Sequence, residues 1–451
     1  MNLATIAWKS IRQRGLASSL TALSVALGVM LMVAVLVIFG ILQGTFNQRS
    51  INYDLIVGAK GDPLQLVLST VYHISPPIEN LPYRYYLEWK KDKRIETAIP
   101  LAMGDRTEKG SFPIVGTIPE FFEIDYAPDR PFLFSKDSAA MRRPFEAYIG
   151  SRVAKENGWG IGSKLKLVHS GVEEHVHNEE FTVVGLLAPT GTPHDKTVYV
   201  NLEGFYQIEG HDKPLEEGIK REREFYREAP LTPDEMAAEI RKIEAKYGKH
   251  DHSHEGHDHA GHIHDIPPVQ KQVTAILLRC KSLTVGPLIV GELKKGYQAQ
   301  AVNPIFPMQK LLDQFLRPAM ELLLILTVLI VIVSGISIFV SIYNSMAARR
   351  REIAIMRALG AQRVTVFAII LAESIILCVG GGLLGLLLGH GLVFVAAPFV
   401  EQRSGLIVNP FAFDMKELVL FPALLLLAAL VGILPGMTAY RTDVAESLSG
   451  N

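Results

Sequence analysis

Apolar residues run along this chain in four stretches long enough to cross a bilayer as helix, which takes about 20 residues. They occupy 16–42, 319–343, 364–395 and 418–440, and a polar expanse, 43–317, separates the first from the second. Inside that expanse the pattern shortens to runs bounded by glycine and proline. INYDLIVGAKG predicts a strand, and PLQLVLSTVYHI a helix with proline at its start. EAYIGSRVAKENGWGIGSKLKLVH predicts strand, short helix, glycine turn and strand. EEFTVVGLLAPTG, KTVYVN and QVTAILLRC add strand candidates, and VGPLIVGELKKG a short helix. The expected fold is a membrane protein, α-helical with four transmembrane helices, plus a large α/β (α+β) extracytoplasmic domain inserted between helices one and two.

Three stretches depart from this scheme. Residues 214–268 begin with two highly charged helical segments, LEEGIKREREFYREA and DEMAAEIRKIEAKYG, whose acidic and basic residues sit at i,i+4. They predict an exposed helical insertion. MQKLLDQFLRPAMELL predicts a helix running into the second span, with Pro318 positioned to kink it. The third apolar stretch would measure about 48 Å as helix, more than a hydrocarbon core of about 30 Å. Its glycines 380, 381, 382, 385 and 389 offer close helix packing or a break, and Glu373 and His390 are its polar residues. An intramembrane carboxylate such as Glu373 is a functional candidate, and equally a structural group packed against a neighbouring span.

Charge sets the expected orientation. Lys9, Arg12 and Arg14 precede the first span, arginines crowd 349–363, and Arg441 follows the fourth, so these flanks share the cytoplasmic side. Both termini are therefore expected in the cytoplasm, with 43–317 and the loop 396–417 outside. The first apolar stretch exceeds a signal-peptide core and lacks a clear cleavage site, which predicts a retained anchor. Residues 1–15 place Leu3, Ile6, Ala7 and Ile11 on one helical face, as in an interfacial amphipathic helix. The tail 441–451 closes the chain.

Between spans two and three, NSMAARRREIAIMRALGA at 344–361 has an apolar side, Ile353, Met356 and Leu359/Gly360, on a helix that carries Arg349, Arg350, Arg351, Glu352 and Arg357. Each charge would cost about 2.5 to 3.5 kcal/mol at the bilayer centre, so the helix stays out of lipid. It is either a solvated basic loop or a docking surface. The flanking motifs bear on that choice.

Nearly half the residues, 49%, are hydrophobic and the net charge is −1, which fits a membrane protein and argues against a nucleic-acid partner. Two cysteines, Cys280 and Cys378, fall in unlike regions and form no CxxC site. No HExxH occurs, which disfavours a membrane-bound metalloenzyme, and no G-x-x-x-x-G-K-[ST] loop occurs with which to cradle ATP. The chain is expected to be no enzyme itself.

His250, His252, His254, His257, His259, His262 and His264 are half of the chain's 14 histidines. Such a tract supplies the nitrogen ligands that zinc, copper or nickel prefer, without resembling a closed structural site. Either it is a low-complexity loop with incidental affinity, or it serves metal sensing, capture or export. His175 and His177, beside Glu173 and Glu174, could add ligands, but an exposed hairpin is the expectation there.

RRREIAIMRALGA, the AES of Ala372–Ser374, GGGLLGLLLG and LPGMTAYRTDVAESL together resemble the FtsX-like permeases of the macrolide-exporter and lipoprotein-release class of ABC transporters. AWKSIRQRGLASSLTALSVALGV resembles that family's first helix, and IGSRVAKENGWGIGSKLKLV with FTVVGLL its extracytoplasmic domain. The resemblance implies a bacterial cytoplasmic-membrane permease acting as a pair, with ATP used by a separate ATPase subunit. It makes 344–363 a coupling helix, and assigns ATPase contact to Arg350, Glu352, Ile353, Met356, Arg357, Leu359 and Gly360. It further implies that ATP-driven motion reshapes the outer domain to export or extract an apolar or envelope-associated substrate. The histidine tract departs from the family's common pattern, so a zinc-responsive system is an expectation that rests on those histidines alone. The alternative is a non-transporting protein that relays motion to an extracytoplasmic or lipoprotein partner.

Overall fold

The computed structural model describes residues 3–46, 52–169, 176–248, 265–348, 350–358, 360–404, 409, 413 and 415–441. The chain forms two compact units, one of Met1–Gly44, Leu312–Arg403 and Ile407–Asn451, the other chiefly of Thr45–Leu311.

In the first unit the long helices are Gly15–Phe46, Arg317–Ala348, Arg363–Ser404 and Leu420–Arg441. All four are long and apolar enough to cross a membrane. A short helix, Leu3–Gln13, precedes them, and another, Arg350–Ala358, joins the second span to the third. Their shared core gathers Val25, Val29 and Val33 of the first span, Ile338 and Ile342 of the second, Ile370 and Cys378 of the third, and Leu424 and Ala428 of the fourth.

The glycine run packs; it does not break the third helix. Gly381 and Gly385 lie one turn apart on a continuous helix, and a Cβ there would come 2.7 and 2.6 Å from the carbonyl oxygens of Ala22 and Ala26. Only glycine admits backbone that close, and in lipid such contact must come from packing rather than from hydrophobic exclusion. His390 of this helix reaches Glu417, at the head of the fourth span. Before the second span, a π turn at Leu312–Leu316 ends just before Pro318. Proline has no N–H to give the preceding turn, and a wider turn absorbs the misfit.

The second unit is built on strands β1 Leu55–Gly58, β2 Leu81–Pro82, β3 Ile95–Thr107, β4 Pro113–Thr117, β5 Glu146–Ile149, β6 Lys164–His169, β7 Val176–Leu186, β8 Val198–Asn201, β9 Gln272–Val273, β10 Ala275–Cys280 and β11 Gln300–Val302. Nine of them run in the order β11-β1-β10-β3-β4-β8-β5-β7-β6, and β6 pairs back onto β3. β3 therefore serves twice. Its first half pairs with β10 in an open antiparallel sheet, and its second half closes β3-β4-β8-β5-β7-β6 into a ring of six strands. Ile114, Ala147, Leu165, Leu167, Phe181, Val183, Val198 and Val200 fill that ring. A separate core of Leu55, Tyr86, Trp89, Ile276 and Leu278 lies under the open sheet.

The charged segment after 214 differs from the exposed insertion expected of it. Its first helix, Leu215–Phe225, forms the anticipated i,i+4 pairs Glu216–Lys220 and Glu217–Arg221. Its other face is anchored, however. A Cβ on Gly218 would lie 2.4 Å from the carbonyl oxygen of Val269, Ile219 is buried, and Phe225 packs edge-on to Tyr85 at 5.1 Å. The second helix, Pro233–Tyr247, starts with a capping box between Thr232 and Glu235 and buries only Met236.

Candidate functional site

The helix Arg350–Ala358 ends where the sequence demands. Gly360 adopts φ +101°, its N–H bonds to the Arg357 carbonyl, and the N–H of Ala361 reaches back to the Met356 carbonyl. This is a Schellman stop with glycine in the left-handed position, so Gly360 shapes the helix end. Apolar residues on this helix divide between two environments. Ile353 is 7% exposed within the helical core, whereas Ile355 and Met356 are 45% and 36% exposed. Ile353, assigned from the sequence to a partner's surface, is thus used to seat the helix on its own bundle. Arg357 is half-buried. The side chains of Arg350 and Glu352, and Leu359 altogether, fall outside the described residues.

Beside this helix is a cavity of about 220 Å³ lined by Lys9, Arg14, Met346, Ile353, Met356 and Glu373 among others. Glu373 is buried and lines this cavity together with residues of the N-terminal and connecting helices.

The tract His250–His264 lies outside the described residues. A different set of histidines converges in the β-domain. Asp105 of β3 stands opposite His169 of β6 in the ring's closing ladder, and His169 Nδ1 lies 2.7 Å from Asp105 Oδ1. His177 of β7 brings Nε2 to 3.2 Å from His169 Nδ1. His211 follows the turn at Gly210, φ +84°, rests on Phe205 at 4.3 Å, and brings Nε2 to 3.1 Å from Asp105 Oδ2. One donor atom from each of the four residues falls within 4.8 Å of all the others. Asp105, His177 and His211 are buried, while His169 is exposed and, with Asp105 and His211, faces a cavity of about 280 Å³.

Burial alone would raise the Asp105 pKa, but its contacts with His169 and His211 outweigh that and hold the carboxyl well below the usual carboxylate range. The same hydrogen bond to Asp105 raises the pKa of His169. The arrangement is a buried carboxylate ringed by three imidazoles.

A family model for the FtsX-like permease C-terminal region matches residues 324–444, and one for the MacB-like periplasmic core domain matches 18–242. This chain belongs to the MacB/FtsX-like ABC permeases. It resembles the macrolide export ATP-binding/permease protein MacB of Burkholderia thailandensis, at 29% identity over 133 residues that cover 28% of this chain and 19% of that protein. An uncharacterized ABC transporter permease of Methanocaldococcus jannaschii is 31% identical over 149 residues, 31% of this chain and 36% of that one. The chain thus spans about a fifth of the length of its MacB relatives. Among solved structures, the periplasmic region of MacB from Actinobacillus actinomycetemcomitans aligns with a TM-score of 0.32 at 12% identity, covering 59% of this chain and 95% of that one.

In this permease the four clustered residues escape motif reading because they come from separate segments. Two of them, His177 and His169, carried a usable signal. His177 shares alternate-residue phase with Phe181 and Val183, which face the ring's interior, and is 2% exposed, which corrects the exposed position expected of it; Glu173, Glu174 and His175 lie outside the described residues. His169 likewise extends the inward row of Leu165 and Leu167 on β6. Asp105 and His211 gave no comparable sign.

Proposed function

We propose that this chain is the membrane-spanning, motion-transmitting subunit of an ABC transporter. The helix Arg350–Ala358 docks on a separate ATP-hydrolysing subunit at the cytoplasmic face, where both termini lie, and the permease works as a pair. The observation that carries this reading is the division of that helix: Ile353 seats it in the bundle, leaving Ile355 and Met356 exposed beside Arg357. Apolar side chains give such a dock its affinity, and neighbouring charges set its register. Movement of the helix is passed to the spans packed on it and on to the inserted domain, which lies outside the cytoplasm. The spans offer few charges with which to line a polar pore, which supports export or extraction of an apolar or envelope-associated substrate. The histidine tract supports a metal-responsive role, most simply for zinc.

Co-purification with an ATPase subunit tests the reading. Met356→Asp combined with Arg357→Glu is expected to abolish the association, and unchanged association would remove this helix as the dock. Deletion of 249–265 is expected to lower zinc capacity while leaving the ATPase complex intact. If ATP turnover persists without any lipid-soluble cargo but depends on an added extracytoplasmic protein, relay to a partner replaces transport.

A further inference from the structure

We propose that Asp105, His169, His177 and His211 bind one divalent transition-metal ion of the zinc type, which clasps the open end of the six-stranded ring. The site is distinct from the tract at 250–264 and does not depend on the transporter reading.

The donors are of the right kind and number. Zinc takes imidazole nitrogen and carboxylate oxygen in a tetrahedron with bonds of about 2.0 to 2.2 Å, so neighbouring ligand atoms sit about 3.3 Å apart. The contacts observed here are 2.7, 3.1 and 3.2 Å. The widest separation in the set, within 4.8 Å, closes onto a single ion with side-chain shifts of roughly an ångström.

As a purely hydrogen-bonded cluster the arrangement is poorly satisfied. His169 Nδ1 carries at most one proton, yet it meets both Asp105 Oδ1 and His177 Nε2. Asp105 Oδ2 and both ring nitrogens of His211 are buried and make no hydrogen bond among the described residues, although Oδ2 and Nε2 lie 3.1 Å apart. Buried polar atoms left unmatched in this way cost stability. A divalent ion at the centre satisfies the lone pairs together, and its charge offsets the buried carboxylate.

Placement gives the ion its effect. The ligands come from β3, β6, β7 and the segment after Gly210, so one ion ties the closing ladder to the strand beside it and to the segment that carries His211. Four protein donors fill a tetrahedral shell, which makes the ion a clasp and not a Lewis acid holding an open position. The adjoining cavity, with His169 at its exposed side, is the route of entry.

The test uses the full chain in detergent, with every histidine between 250 and 264 changed to serine so that the tract contributes no sites. Zinc titration is expected to show one saturable equivalent per chain and to raise the thermal midpoint. Cobalt is expected to give the intense visible absorption of a tetrahedral nitrogen and oxygen site. His177→Gln and His211→Gln should each weaken binding by more than about 10-fold, and Asp105→Asn, which keeps the side chain's shape, should do the same. The proposal is overturned if the serine-tract parent binds no stoichiometric zinc, if zinc leaves its thermal midpoint unchanged, or if the three substitutions leave affinity intact. The parent's own zinc response needs no ligand variant to fold, and a fully active ATPase complex with no zinc site would sink this proposal alone.

Discussion

His390 and Glu417 meet at 3.0 Å, joining the third span to the head of the fourth, and Glu417 is completely buried. Truncating one member of such a pair removes a buried hydrogen bond from the other, which costs about 1 to 3 kcal/mol. His390→Leu is therefore expected to lower the thermal midpoint of the detergent-solubilised protein, and His390→Leu with Glu417→Leu to recover much of the loss. A double variant no better than the single one would show that the pair does not act as a unit.

Close helix contact makes a sharper demand. A Cβ on Gly385 would meet the Ala26 carbonyl oxygen at 2.6 Å, while one on Gly380 meets nothing within 4 Å. Gly385→Val should push the first and third spans apart, at a cost of at least about 1 to 3 kcal/mol, and reduce the folded fraction on fluorescence-detected size exclusion. Gly380→Ala should be neutral in the same assay. Equal behaviour of the two would contradict the packing.

The helix stop at Gly360 links local strain to the proposed dock. At φ +101° any side chain is strained, and even Ala should cost about 1 to 2 kcal/mol. Gly360→Ala is expected to weaken ATPase association while the bundle stays folded, because the last turn carrying Met356 and Arg357 loses its fixed end. Association at the parental level would show that this end does not need fixing.

Acid should destabilise the inserted domain. Burial lowers the pKa of His194 from 6.5 to about 3, with His73 adding to the effect. Burial also lowers His73 to about 4, opposed by its contact with the Ser69 carbonyl. Both pKa values fall on folding, so below about pH 6.5 the unfolded chain binds more protons than the native one. Stability then drops as pH falls from about 6.5 toward 4 and 3, at up to about 1.4 kcal/mol per unit for each histidine. Thermal midpoints followed by the fluorescence of Trp89 and Trp159 should fall between pH 7 and 5. His194→Phe, set among Phe121, Phe132 and Tyr199, should fall less steeply, and an identical slope would discharge His194 from the effect.

Local pattern carried much of the architecture. Apolar length marks the spans, and the glycine turn expected between the short helix and β6 falls at Gly158, whose left-handed φ of +67° ends Ser151–Asn157. Context overrode pattern in two places. Ile353 lies on the apolar side of a helix that reads as a docking surface, but which face meets the bundle depends on where the neighbouring spans stand. Phe225 lies within a charged stretch, yet it packs, half-buried, against Tyr85 of a helix far away in sequence.

By itself, then, the sequence determined which four stretches are long and apolar enough to cross a membrane, which segments alternate as strands, and that a short charged helix joins spans two and three. These are decided by composition and period over a few turns, where solvation and backbone geometry dominate. Only the tertiary structure decided which histidines meet. Asp105 and His169 are 64 residues apart and become neighbours because β6 closes the ring against β3. Such closure depends on the packing of every strand between them, and no local window of sequence contains it.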